Sequence, residues 1–142
     1  LNLDKKEAEL KRDIPKLKRK AQKRVNADVV KRKGKCDRYG GIGGRLTASH
    51  FFNEGIYGSV RYDLENIDCL HWMPCHVGNP AISWEYRKQA EYKDFKIKQL
   101  GEERFKALEK RARTYHQWTV RELELIIAKY KVDAPQEAIT NN

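Results

Sequence analysis

The chain has 142 residues, 39% hydrophobic and 35% charged, which supplies apolar material for one modest core with charged extensions. Its formal charge of +10 is concentrated at the start, where residues 1–35 hold fourteen Lys and Arg against five Asp and Glu. No apolar run approaches the roughly 18 residues of a membrane-spanning helix, and the lysine-rich start lacks the apolar stretch of a secretory leader. An intracellular protein with no membrane partner is therefore expected. Cysteines 36, 69 and 75 are too few and too unevenly placed for a disulfide framework; alongside histidines they point to metal instead.

A concentrated positive charge is the footprint expected for a phosphate backbone, because each neutralised phosphate releases counterions. A solvated helix that aids solubility is the bland alternative. A membrane-surface helix fits less well, since residues 16–24 (KLKRKAQKR) contain only Leu17 and Ala21 as apolar positions. The candidate phosphate contacts are Lys16, Lys18, Arg19, Lys20, Lys23 and Arg24, joined later in the chain by Arg45 and Arg61.

Residues 3–13 read as a charged helix, and Pro15 suits the first turn of a second helix running to about Lys31. Leu17, Ala21, Val25 and Val29 fall on one stripe of that second helix, so it can dock on a core and keep its basic face outward. Five glycines within residues 34–44 (GKCDRYGGIGG) exclude a helix and predict a tight knuckle. Residues 45–52 (RLTASHFF) and 56–62 (IYGSVRY) have the composition of two short strands of a β-hairpin, with Asn53, Glu54 and Gly55 as the turn.

Residues 63–80 (DLENIDCLHWMPCHVGNP) predict a helical turn capped by Asp63, then an irregular segment rich in Cys, His and Pro. Residues 82–99 are mostly helical, offering Trp84, Tyr92, Phe95 and Leu100 to a core. Gly101 interrupts the helical pattern, and residues 102–113 form a further helix with Phe105 and Leu108 inward. Thr119, followed three residues later by Glu122, makes a capping box ahead of the last helix, and Trp118 can staple its entry. The remaining KVDAPQEAITNN loses both periodicity and apolar weight.

In order, the centre of the chain carries a cysteine knuckle at Cys36, a strand with Ser49 and His50, then Asn66, then a knuckle ending in Cys75 and His76. That order resembles an HNH, or ββα-metal, nuclease. In such a site a strand-borne histidine takes a proton from water while a divalent cation steadies the leaving oxygen. The resemblance implies catalytic roles for His50 as base, Asn66 as the group that holds the imidazole or its strand, and His76 as ligand of Mg²⁺ or another divalent cation, with Asn79, Asp63 or the phosphate itself completing the coordination. Taken alone, each of these residues is as readily structural, and His116 has no partner at motif spacing.

Residues 17–36, 47–52 (TASHFF), 65–68 (ENID), 75–80 (CHVGNP), 84–87 (WEYR), 97–109 and 118–130 together look like the phage NinG family, also called Rap, over roughly residues 15–131. The resemblance implies a recombination endonuclease that hydrolyses phosphodiester bonds in branched DNA such as D-loops and Holliday junctions, located in the host cytoplasm. A two-fold homodimer would suit a four-way junction. The implied fold is α+β: a basic helical arm over 1–33, a ββα core over 34–82, a helical C-terminal part over 83–131 and a tail over 132–142.

Two departures from that family stand out. Relatives carry two C-x-x-C knuckles whose thiolates bind one structural Zn²⁺; here Cys36, His71 and Cys75 are the ligands available, with Asp37, Cys69 or water as a fourth. The alternative is an apolar filling by Tyr39, Trp72 and Met73. Directly before the base, where many HNH enzymes place a metal-binding Asp or His, stands Ser49. The rival function is a DNA-binding protein of recombination or packaging without catalysis.

Overall fold

The computed structural model describes residues 2–38, 45–71 and 86–131. The elements run α1 (Asn2–Lys33), β1 (Leu46–His50), two short 3-10 turns (Gly58–Val60 and Leu64–Asn66), β2 (Ile67–His71), α2 (Tyr86–Leu100), α3 (Glu102–Arg113) and α4 (Val120–Lys129). This mixture of helices with a two-stranded antiparallel sheet is an α+β fold. Among the described residues no helix is long and apolar enough to cross a membrane.

The chain divides into two compact units, one of residues 1–28 with 117–142, the other of residues 29–116. The boundaries expected after residues 33 and 82 both fall inside the second unit, which holds the sheet together with α2 and α3.

In the first unit, α1 is one continuous helix rather than the two expected, with Pro15 inside it. Proline removes one backbone donor and crowds the carbonyl four residues earlier. Residues 11–13 and Pro15 itself are exposed, so water can satisfy the Lys11 carbonyl and the helix passes through. Of the expected stripe, Ala21, Val25 and Val29 are buried and Leu17 is half-buried. Ala21 and Val25 lie in this unit with α4, whose Leu123 is fully buried, and Arg24 Nη1 donates to the Ile127 carbonyl at 3.2 Å. The capping box of α4 is present: Thr119 accepts from the Glu122 amide, and the Glu122 carboxylate accepts from the Thr119 amide.

In the second unit, α1 ends at Gly34, whose φ of +62° is the left-handed conformation that closes helices. The strand pairing corrects the expected hairpin. β1 pairs with residues 67–71, not with 56–62, in the register Leu46↔His71, Thr47↔Leu70, Ala48↔Cys69, Ser49↔Asp68 and His50↔Ile67. Residues 53–57 form a turn in which the Asn53 carbonyl accepts from the Ile56 and Tyr57 amides and its side chain accepts from the Gly55 amide. The β-branched and aromatic residues that follow serve packing instead: Val60 is fully buried, and Tyr57 packs edge-on against Phe52 at 5.2 Å.

The core of this unit is aromatic. Phe51 meets Phe52, Tyr92 and Phe105 edge-on at ring separations of 4.8, 5.0 and 5.7 Å, the geometry that aromatic quadrupoles favour. Cys36, Leu70 and Tyr92 form one buried cluster with Phe51 packed against it, and Val60, Leu100, Leu108 and Ala112 form another with Phe52 against it. On the edge of β2 away from β1, the Asp37 amide donates to the Cys69 carbonyl and the Asp37 carboxylate accepts from the Cys69 amide, both at 2.7 Å. One residue of the knuckle thus stands in for a third strand.

Candidate functional site

His50 closes β1, so the sheet fixes where its side chain leaves the backbone. Its ring is largely buried, the side chain 9% exposed, and Nε2 lies 2.9 Å from the Arg61 carbonyl oxygen. A carbonyl oxygen can only accept, so Nε2 is the donor, and in a neutral imidazole Nδ1 is then the imine nitrogen. A second oxygen approaches the same edge: Glu54 Oε2 stands 3.6 Å from Nε2.

Asn66 is fully buried, and its side chain does not reach the imidazole. It is spent on backbone, with Nδ2 donating to the Phe52 and Val60 carbonyls at 3.0 and 3.1 Å, and Oδ1 accepting from the Phe52 amide at 2.8 Å. The Asn66 carbonyl also accepts from the Phe51 amide at 2.9 Å. These bonds tie down the chain leaving the strand and the stretch just before Arg61.

The turn bearing Asn66 is itself braced. Asp63 accepts from the Glu65 amide, as expected for its cap, and Arg111 of α3 binds Asp63 at 2.8 Å and Glu65 at 2.9 Å. Burial pushes the Glu65 carboxyl up, but the Arg104 and Arg111 guanidiniums outweigh it and hold it below its ordinary range. From α2, Lys96 donates to the Glu65 carbonyl and to Asp68, which also accepts from Tyr92 and Gln99.

The remaining candidates fall in three places. His76, Asn79 and Cys75 lie outside the described residues. Cys36 is buried, and His71 Nε2 is a buried nitrogen with no hydrogen-bond partner among the described residues, which suits a ligand role. Burial, with the nearby Asp37 carboxylate, pushes the Cys69 thiol up to about 11. Among the described residues no group of three or more His, Cys, Asp and Glu converges to hold a metal ion. Ser49, opposite Asp68 in register, is 2% exposed and therefore faces protein rather than solvent.

Lys16, Arg19, Lys20 and Lys23 are exposed along α1, Lys18 and Arg24 half-buried; Arg45 is exposed just before β1. Arg61 contributes its carbonyl to His50, while its guanidinium sits over the Tyr62 ring at 5.2 Å. Sequence reasoning missed Glu54 because Asn-Glu-Gly reads as turn chemistry, although its spacing of four from His50 was available as a signal. No family model, curated protein or solved structure matches the chain.

Proposed function

We propose that the chain is a metal-dependent HNH-type endonuclease acting on DNA, with branched recombination intermediates as its substrates. The observation that carries the reading is the orientation of His50, whose Nε2 proton is committed to the Arg61 carbonyl so that Nδ1 is the basic nitrogen. Two antiparallel strands joined by a loop that a buried Asn pins, with a helix further along the chain, support the reading, although the second strand is 67–71 rather than 56–62 and the helix lies beyond residue 82.

In this reading Nδ1 of His50 takes a proton from water as its oxygen attacks phosphorus, and the leaving oxygen departs as the P–O bond breaks. His76 with Asn79 would hold a divalent cation such as Mg²⁺, which supplies charge stabilisation at the scissile phosphate. Cys36, His71 and Cys75 would hold a structural Zn²⁺, and the orphaned His71 nitrogen fits that role. The basic face of α1 contributes affinity for the phosphate backbone without reading sequence.

The buried Ser49 favours a second reading, a DNA-binding protein that has lost catalysis, because that position offers no ligand to a cation. Cleavage of linear and four-way-junction DNA across Mg²⁺, Mn²⁺ and Zn²⁺ separates the two. The nuclease reading expects His50→Ala to abolish cutting while junction binding stays within about threefold, and full residual cleavage by that variant would remove His50 as the base. Binding of junction DNA with no cutting under any cation selects the second reading.

A further inference from the structure

We propose that Glu54 is a positioning residue for His50, an inference that rests on the nuclease reading: its carboxylate fixes the imidazole and becomes the charge partner of the imidazolium formed when Nδ1 takes the proton of water. Glu54 Oε2 is buried and accepts no hydrogen bond, although it belongs to a side chain that is 44% exposed overall. A carboxylate oxygen turned inward while its side chain has access to water is costly unless something there repays it. A group able to do so is the His50 ring, with Nε2 at 3.6 Å.

In the resting state Nε2–H is already given to Arg61, and 3.6 Å is too long for a second hydrogen bond. Once Nδ1 is protonated, positive charge spreads over both ring nitrogens and the same spacing becomes an ion pair. The arrangement therefore favours the state that exists only as water is being activated, which is the condition for raising turnover rather than substrate affinity. Proton balance is simple: one proton moves from water to Nδ1, none passes to Glu54, and the ring returns it when the leaving oxygen is released.

The neighbours support the assignment. Ile67, opposite His50 in register, is apolar and fully buried, and offers no competing partner. Tyr62 lies close enough to feel the Glu54 charge, and burial pushes its hydroxyl up to about 12, so it stays neutral. The Arg61 guanidinium is engaged over the Tyr62 ring.

The test compares wild type, Glu54→Gln, Glu54→Asp and His50→Ala in cleavage of four-way-junction DNA with Mg²⁺, together with long-range ¹H–¹⁵N spectra of the histidines. Expected are an Nε2–H tautomer for His50, a kcat for Glu54→Gln reduced about 10- to 100-fold with KM within about threefold and unchanged Tm, and partial recovery of kcat in Glu54→Asp. Wild-type kcat in Glu54→Gln beside an inactive His50→Ala overturns this inference and spares the nuclease reading. An active His50→Ala, or a wild type that does not cut, overturns both. An Nδ1–H tautomer for His50 removes the geometric basis whatever the activity, and restoration of Glu54→Gln by excess Mg²⁺ would assign Glu54 to the cation and overturn the positioning role.

Discussion

Lys96 of α2 reaches Asp68 of β2 at 3.3 Å, with side-chain exposures of 1% and 0%. Burial lowers the Lys96 pKa, and the Asp68 carboxylate opposes that effect. The same ammonium donates to the Glu65 carbonyl and to Gln99, so one buried charge joins helix, strand and the turn that carries Asn66. Removing either partner strands the other away from water. Lys96→Met should cost about 3 kcal/mol, whereas Lys96→Met combined with Asp68→Leu should cost less than the two single changes added together. A double-mutant cycle by urea denaturation measures this.

Asn66→Ala would orphan two backbone groups, the Phe52 amide and carbonyl, and take from the buried Val60 carbonyl one of its two donors, leaving it the Asp63 amide. At about 1 kcal/mol or more for each unsatisfied group, a loss of about 2 kcal/mol is expected by denaturant titration. Asn66→Asp should be no better, because a carboxylate cannot donate to the two carbonyls. In the nuclease reading, both variants should lose cleavage through displacement of His50 rather than loss of a reacting group.

Acid should loosen the α3 attachment of this turn. The folded chain holds the Glu65 carboxyl below its ordinary value of 4.5, so its pairs with Arg104 and Arg111 contribute fully above that pH and are lost as pH falls through the folded value. Stability followed by urea midpoint from pH 6 to pH 2.5 should therefore fall less steeply in Glu65→Gln than in wild type. Identical acid limbs would show that the pairs are energetically idle.

Alanine at Lys16, Arg19, Lys20 and Lys23, all exposed on α1, should weaken DNA binding across unrelated sequences alike. The plot of log affinity against log salt should flatten by about 0.9 for each phosphate that is no longer neutralised. An unchanged slope would take α1 out of the interface.

What was legible beforehand follows the reach of each signal. The α4 cap depends on Thr119 and Glu122 three residues apart, and the end of α1 on Gly34; both are local, and both are present in the structure. β2 was missed because Ile67, Asp68, Cys69 and Leu70 are all buried, so the strand shows no alternation of polar and apolar residues. Val60 and Tyr57 mimic strand composition, yet they are selected by packing against a core that sequence alone does not display. His50 and Asn66 were legible as positions, whereas the Arg61 carbonyl that orients the ring belongs to the backbone and leaves no mark in side-chain identity. Glu54 was hidden inside a turn that accounted for it too easily.

The loop between the strands is held near its two ends by Asn66 and, in its second half, by Ser59, whose hydroxyl donates to the Arg111 carbonyl. Phe51, Phe52 and Val60 are tied to Asn66, while Asn53, Gly55 and Ile56 at the crest are exposed, Ile56 by 76%. Lengthening such a crest costs little, about 0.6 kcal/mol for each doubling of loop length. Extra residues inserted after Ile56 would part the Tyr57 amide from the Asn53 carbonyl but leave the Asn66 anchors of Phe52 and Val60 in register, making this a place to graft a fluorescent tag provided the turn that holds Glu54 beside His50 is kept.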